Sequence, residues 1–161
     1  MDLKKIYEYA LQREREGLDF FTRSAERAAH AAAAGVFRKL ADEERKHIQF
    51  VQSLLAGLES GKPGRPGEVL KEESFFSQRA QSEALDQTVI ESMIPDVTVL
   101  RTAYLIERDF AEFYERAAAQ ATGEAKEALA SLGRWERGHE RLFKGLHDKV
   151  YEEYMGMPWG G

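Results

Sequence analysis

The chain has 161 residues, of which 43% are hydrophobic and 32% charged, a composition typical of one soluble globular domain. Its net charge of −5 argues against nucleic acid as a partner, and it contains no cysteine, which excludes disulfides and thiolate metal sites. Any metal would therefore be bound by oxygen and nitrogen atoms. No stretch has the apolar length of a signal peptide or a membrane span, so we expect a cytoplasmic protein without a membrane partner.

Four segments carry hydrophobic residues at the spacing of an amphipathic helix, and no window of useful length alternates with the period of a β-strand. These segments are rich in Ala, Glu, Leu and Arg, which favour helices. We therefore predict an all-α protein with a single domain over residues 1–161. Its predicted helices cover about residues 3–30, 35–58, 96–121 and 124–152.

Particular residues mark the breaks between these helices. Asp96 is a candidate N-cap at the start of the third helix, and Gly123 is a candidate C-cap at its end. The break between the first two helices is hidden in alanine-rich sequence. Alignment of the two halves of the chain places a turn near Ala31–Ala34.

A long connection at about residues 59–95 joins the second and third helices. It begins with the loop sequence SGKPGRPG and includes SEALDQTVIESM, a candidate short helix. A connection of this length can span a helix of about 25 residues, roughly 37 Å long. The chain is therefore predicted to form a four-helix bundle from two helical hairpins, with a long crossover between helices 2 and 3.

The two halves of the chain are related by an internal repeat. Residues 7–55 align with residues 100–147, and the alignment superposes two Glu-x-x-His motifs. The motifs are Glu44–His47 in DEERKH and Glu136–His139 in WERGH. This match indicates a duplicated helical hairpin.

Each half also has a glutamate about 30 residues before its motif. These glutamates are Glu14 and Glu107, and each is followed about two helical turns later by an aromatic residue. The aromatic residues are Phe21 and Tyr114. The repeat therefore includes the spacing between the first glutamate and the motif of each hairpin, in addition to the motifs themselves.

The four glutamates are expected to face the core. Glu14, Glu44 and Glu107 each lie within a stripe of hydrophobic residues, whereas Glu140 interrupts the stripe around Glu136. Buried carboxylates repel one another unless cations neutralise them, and two divalent ions balance four negative charges. Because Glu and His three residues apart share a helix face, both can reach one ion. The residues therefore predict a dinuclear metal centre.

Neighbouring residues leave several alternatives open. Glu43 could replace its neighbour as the ligand of the first motif, and Glu140 is either a surface charge or an extra acidic group near the site. We predict that Tyr114 hydrogen-bonds to a ligating carboxylate, whereas Tyr7 and Tyr104 could do so or simply pack in the core. A duplicated bundle with exposed Glu–His pairs and no metal is the remaining alternative.

The pattern resembles the ferritin-like di-iron carboxylate superfamily, in which two helices each give one Glu and two others each give a Glu-x-x-His motif. The stretch EREGLDFF and the two Glu-x-x-His motifs resemble the E-x-x-G-x-x-F-Y and E-x-x-H motifs of the rubrerythrin branch. The resemblance covers about residues 3–150. It implies two bound metal ions, with iron preferred and manganese or a mixed pair as the alternative.

The resemblance also implies a role for each candidate ligand. Two glutamates would bridge the ions, and each ion would have one terminal glutamate and one histidine of its own. The bridging residues would be Glu44 and Glu136. The terminal pairs would be Glu14 with His47 and Glu107 with His139.

Three departures from the rubrerythrin pattern are present. Rubrerythrins carry a rubredoxin domain with four cysteine ligands, and these residues contain no cysteine. Phe110 stands where rubrerythrins have an additional Glu tied to a redox-linked change of ligand. Phe21 replaces the tyrosine of the first half, whereas Tyr114 keeps the hydroxyl of the second.

The resemblance implies a di-iron oxidoreductase that reacts with peroxide or O2 and takes electrons from a separate donor, such as a rubredoxin-like protein. An iron-oxidising and iron-storing protein of the ferritin type is one alternative, and a dimanganese catalase-like enzyme is another. A helical module without enzymatic activity is the last. We expect a homodimer or a higher homo-oligomer.

Overall fold

The computed structural model describes residues 2–61 and 86–158, which form helices and short turns without a β-strand. Four long helices and one short helix make up these two ranges. They are α1 Leu3–Arg27, α2 Ala31–Ser60, α3 Gln87–Ser92, α4 Val97–Gln120 and α5 Gly123–Gly156. The prediction of an all-α fold is confirmed. No helix within the described ranges is long and apolar enough to cross a membrane.

The long helices pack as two hairpins. α1 packs along α2, and α4 packs along α5, far more extensively than the helices of different hairpins contact each other. The short helix α3 contacts both α2 and α5 before the chain enters α4. These contacts confirm the ferritin-like bundle of two hairpins. Residues 62–85 of the predicted crossover lie outside the described residues.

The predicted turn near Ala31–Ala34 is wrong, because α2 begins at Ala31. The chain turns at residues 28–30 instead, where Ala28 leaves the helical region at ψ 129° and its amide donates to the carbonyl of Ser24. Alanine has the highest helix propensity of any residue. The alanine run therefore starts α2 and does not interrupt it.

The start and end of α4 also differ from the predicted caps. Asp96 stands at the N-cap position, but its side chain caps no helix amide, and a 3₁₀ turn over Ile94–Asp96 leads into the helix. At the other end Ala121 is the C-cap, and Gly123 is the first residue of α5 at φ +58°. Glycine adopts this left-handed conformation without the steric penalty of a Cβ atom. Gly123 thus serves the entry into α5 and not the exit from α4.

The hydrophobic core consists of two clusters at different heights of the bundle. The first cluster includes Phe21, Phe37, Leu40, Phe143 and Leu146. The second includes Tyr7, Phe50, Tyr114, Leu129 and Leu132. On each long helix the predicted metal ligands lie in the sequence interval between the two clusters. Hydrophobic side chains therefore enclose these polar groups from above and below.

Candidate metal centre

All six predicted ligands are buried in the middle of the bundle. The four glutamates are 0% exposed, and the two histidines are 3% and 5% exposed. Each long helix contributes at least one of the six. Glu14 comes from α1, Glu44 and His47 from α2, Glu107 from α4, and Glu136 and His139 from α5.

The ligand atoms form two overlapping groups, within each of which all atoms lie within 4.8 Å of one another. One group contains Glu14, Glu44, His47 and Glu136. The other contains Glu44, Glu107, Glu136 and His139. Since Glu44 and Glu136 belong to both groups, they lie where bridging ligands would have to lie. The structure thus brings all six residues together, and their binding of metal stays a prediction.

His47 faces carboxylates from three helices. Its Nδ1 atom lies 3.1 Å from Oε2 of Glu14, 3.0 Å from Oε1 of Glu136 and 3.8 Å from Oε2 of Glu44. The contact with Glu14 is a hydrogen bond and the contact with Glu136 is an ion pair, and both cross between helices. His47 therefore ties α2 to α1 and to α5 through buried charges.

His139 has the corresponding position in the other half. Its Nδ1 atom lies 3.4 Å from Oε2 of Glu136, and 3.7 Å from both Oε1 of Glu44 and Oε2 of Glu107. The rings of His139 and His47 stack with their centroids 5.4 Å apart. Each histidine therefore contacts both shared glutamates and one unshared glutamate, which is Glu14 for His47 and Glu107 for His139. This is the symmetry that the repeat predicts.

The two competing acidic residues lie outside both groups. Glu43 accepts a hydrogen bond from Lys46 at 2.9 Å and belongs to neither ligand group. Glu140 accepts from Arg108 and from Arg137, at 2.9 and 2.6 Å. Glu140 therefore links α5 to α4 through Arg108. The geometry does not favour the alternative in which Glu43 replaces Glu44.

Burial and mutual repulsion dominate the electrostatics of the carboxylates. Burial raises the pKa of Glu44 well above its ordinary value, and the negative charge of Glu136 raises it further. The pKa of Glu107 is raised well above its ordinary value for the same two reasons. Without cations, the centre therefore favours retention of protons on these two carboxyl groups.

His47 and Glu136 shift in opposite directions because they stabilise each other's charge. Burial acts to lower the pKa of His47, but the negative charges of Glu136 and Glu14 outweigh it and raise the pKa well above its ordinary value. Burial acts to raise the pKa of Glu136, but the positive charge of His47 and a hydrogen bond with His139 lower it. The metal-free core thus contains a buried imidazolium–carboxylate pair.

The donor atoms fit two divalent metal ions. Both carboxylate oxygens of Glu44 are buried and have no hydrogen-bond partner among the described residues. Buried carboxylate oxygens are normally hydrogen-bonded or bound to a cation, so these oxygens are suited to metal binding. Four carboxylates and two imidazoles form a set of oxygen and nitrogen ligands whose charge two divalent ions would neutralise.

Tyr114 supports one edge of this cluster. It is fully buried, and its hydroxyl donates a hydrogen bond to Oε1 of Glu14. Burial and the adjacent charge of Glu14 raise the pKa of Tyr114 well above its ordinary value, so the hydroxyl keeps its proton. The hydrogen bond predicted for Tyr114 is thus present. Tyr7 lies in the core, and Tyr104 contacts the ring of His147, so neither is seen to bond to a candidate ligand.

Three contacts around the centre did not follow from the sequence. The indole of Trp135 stacks on the ring of His47, with centroids 5.0 Å apart and planes inclined by 14°. The guanidinium of Arg13 lies over the ring of Phe110, 4.4 Å from its centroid. Gly17 lies so close to Glu44 that a Cβ atom would stand 3.1 Å from Oε2. Only Gly17 could have been singled out from the sequence, since it occupies the G of the E-x-x-G motif.

Replacement of Gly17 by alanine tests the close approach of α1 to the cluster. The added methyl group would lie 3.1 Å from Oε2 of Glu44 and 3.3 Å from Cε2 of Phe110, so the carboxylate has to move. We expect Gly17→Ala to weaken metal binding by about tenfold or more in a calorimetric titration, with helicity retained. Gly145→Ala is the matched control, because its Cβ atom would meet nothing within 4 Å. Wild-type affinity in Gly17→Ala would contradict the close contact.

The stability of the metal-free protein should depend on pH in an unusual direction. Glu44, Glu107 and His47 have folded-state pKa values above their ordinary values, so the folded chain binds more protons than the unfolded chain. Their contribution to the free energy of unfolding is complete below the pKa values of the unfolded chain, about 4.3 for Glu. It is lost as pH rises through the raised pKa values of the folded chain. Glu136, whose pKa is lowered, loses its contribution only as pH falls through its folded-state value.

We therefore expect the melting temperature in the presence of a chelator to fall as pH rises from about 5.5 to about 8.5. Circular dichroism melts at several pH values would measure this. The Glu44→Gln variant, which cannot titrate at that position, should show a shallower fall. A melting temperature that rises over this range in the chelated wild-type protein would contradict the proton-retaining core.

Comparison with known proteins agrees with the geometry. A family model described as rubrerythrin matches residues 4–147, which include all four long helices in whole or in large part and all six candidate ligands. No curated protein and no solved structure matches the chain. Rubrerythrins bind a centre of two metal ions, and the buried Glu and His groups described above are compatible with such a centre. The chain therefore belongs to the rubrerythrin family.

Proposed function

We propose that this protein is a di-iron oxidoreductase that reduces hydrogen peroxide or O2 with electrons from a separate donor protein. The observation that carries the proposal is the pair of overlapping ligand groups, in which Glu44 and Glu136 are shared. A shared pair of carboxylates suits two ions held close together, whereas a single-ion site needs no second group. Membership of the rubrerythrin family supports the same reading.

The ligand atoms support the proposed choice of metal. A site with four carboxylates, two imidazoles and no sulfur suits Fe(II) or Mn(II) better than the softer metals. When bound, two iron ions supply the two electrons that convert one molecule of peroxide into two molecules of water, with uptake of two protons. We propose iron for both positions, and a manganese or mixed pair is the alternative that the same ligands support.

The chain's own residues hold and orient the centre. Glu44 and Glu136 would be shared by the two ions, and each of the four remaining ligands would hold one ion. The hydroxyl of Tyr114 fixes one oxygen of Glu14, which leaves the other oxygen directed towards His47. The two hydrophobic clusters exclude bulk water from the interval between them.

Phe110 gives the centre one apolar wall. It is 3% exposed, its ring and the carboxylate of Glu44 both lie close to Gly17, and the guanidinium of Arg13 lies over the ring. An aromatic ring offers no metal-binding oxygen at this position. We propose that the centre works with six protein ligands, without the additional glutamate of other rubrerythrins.

The electron donor is proposed to be a separate protein of the rubredoxin type. The 161 residues contain no cysteine, so they cannot provide the four thiolate ligands of a rubredoxin iron site. We propose that the protein acts in the cytoplasm as a homodimer or a higher homo-oligomer. Peroxide is a small neutral molecule that can reach a buried centre, which suits a site enclosed by hydrophobic side chains.

Metal content and peroxide consumption test this function together. Elemental analysis of protein purified without added metal should find about two ions per chain in the wild type. The Glu44→Ala variant should lose most of the metal, because Glu44 belongs to both ligand groups. Glu43→Ala is the matched control, since that neighbouring carboxylate pairs with Lys46 outside the cluster.

Activity then separates the candidate reactions. The iron-loaded protein should consume peroxide only when a reduced rubredoxin is added, and Glu44→Ala should consume little. Consumption without a donor, in protein that contains manganese, would instead indicate the catalase-like alternative. Equal and near-zero metal in the wild type and in Glu44→Ala would overturn the proposed function.

A further inference from the structure

We propose that the two metal positions are inequivalent: the Glu14–His47 position binds its ion first and more tightly, and the Glu107–His139 position is the weaker and more readily exchanged one. The inference rests on the metal centre proposed above and adds an order of binding to it. It concerns a divalent first-row cation at each position. Two independent contacts, each present on one side of the centre, carry it.

The first contact is the hydrogen bond from Tyr114 to Glu14. It spans from α4 to α1 and engages Oε1, while Oε2 of the same carboxylate lies 3.1 Å from Nδ1 of His47. One oxygen is therefore fixed by a hydroxyl donor, and the other faces the ligand group. The side chain of Glu14 is oriented before a metal ion arrives.

Glu107 has no such support in the other half. Neither of its oxygens accepts a hydrogen bond from a hydroxyl, amide or cationic group of the described residues. The repeat places Phe21 at the position that corresponds to Tyr114. Phe21 is fully buried and stacks on Phe143, with ring centroids 5.3 Å apart, and it has no hydroxyl to donate.

The second contact is the stacking of Trp135 on His47. The large indole lies nearly parallel to the imidazole at 5.0 Å and limits rotation of the ring. In the repeat, the position that corresponds to Trp135 is occupied by Glu43, whose carboxylate binds Lys46. The contact between Trp135 and His47 therefore has no counterpart at position 43 of the other half.

Both contacts act on the same ion position. Groups that orient metal ligands through hydrogen bonds typically change metal affinity by about 10–100-fold when they are removed. The Glu14–His47 position has such a group for its carboxylate and a stacking partner for its imidazole. We therefore expect it to fill first, with the Glu107–His139 position filling in a second, weaker step.

Titration of the metal-free protein with Zn²⁺ tests the order, because Zn²⁺ has no redox chemistry of its own. Calorimetry gives the number and affinity of the steps, and the fluorescence of Trp135 reports on the ring that it contacts. The chain has two tryptophans, so the titration uses the Trp159→Phe background. We expect two binding steps, with the change in Trp135 fluorescence complete after about one equivalent of Zn²⁺.

Two substitutions that restore the symmetry of the repeat sharpen the test. Tyr114→Phe should weaken the first step by about 10–100-fold and bring the two affinities together. Phe21→Tyr, which offers a hydroxyl to the other half, should strengthen the second step. Tyr104→Phe is the matched control: it removes a hydroxyl from the same helix, at a residue whose ring contacts His147, and should change neither step.

The possible failures can be told apart. A fluorescence change confined to the second equivalent, or two steps that Tyr114→Phe leaves unchanged, would overturn the inequivalence while the metal centre stands. Absence of any Zn²⁺ binding by correctly folded protein would overturn the metal centre and this inference with it. Circular dichroism of each variant establishes that the helices are retained.

Discussion

The rest of this structure depends on four carboxylates that are enclosed between two hydrophobic clusters. Glu14, Glu44, Glu107 and Glu136 are fully buried, and carboxylates in such a place must be neutralised by protons, by cationic side chains or by metal ions. One imidazolium at His47 cannot balance four negative charges. In the metal-free chain, the raised pKa values of Glu44 and Glu107 supply the remaining compensation through protons. Two divalent cations would replace those protons and complete the same balance.

The duplicated hairpin explains how so few sequence features produce this arrangement. A Glu-x-x-His motif on the second helix of each hairpin aims a carboxylate and an imidazole at the same point. When two hairpins pack face to face, the motif glutamates meet at the centre and become common to both ligand groups, as Glu44 and Glu136 do. The first helices then add one glutamate each. The matching sets of glutamates around His47 and His139 reflect the repeat in the structure.

The differences between the halves are as informative as their likeness. Tyr114 and Trp135 contact Glu14 and His47, whereas the repeat places Phe21 and Glu43 at the corresponding positions. The two halves therefore share a symmetric ligand set but differ in the side chains that contact it. The proposed order of metal binding rests on this difference.

The sequence predicted the helices and the six-residue cluster because both depend on periodicity. A glutamate within a hydrophobic stripe can face only the core, so the position of Glu107 followed from its neighbours alone. The turn at residues 28–30 could not be predicted, since alanine on both sides favours helix and the turn is imposed by packing of the hairpin. The stacking of Trp135 on His47 and the ring of Phe110 under Arg13 depend on side-chain rotamers across helices. No local pattern encodes such contacts, which become defined only when the four helices pack.

Anomalous X-ray diffraction from crystals of the iron-loaded protein, recorded above and below the iron absorption edge, is the most direct measurement of the central claim. The account predicts two anomalous peaks inside the bundle, roughly 3.5–4 Å apart, with Glu44 and Glu136 between them. Peaks confined to surface carboxylates, or no peak between the two hydrophobic clusters, would contradict it.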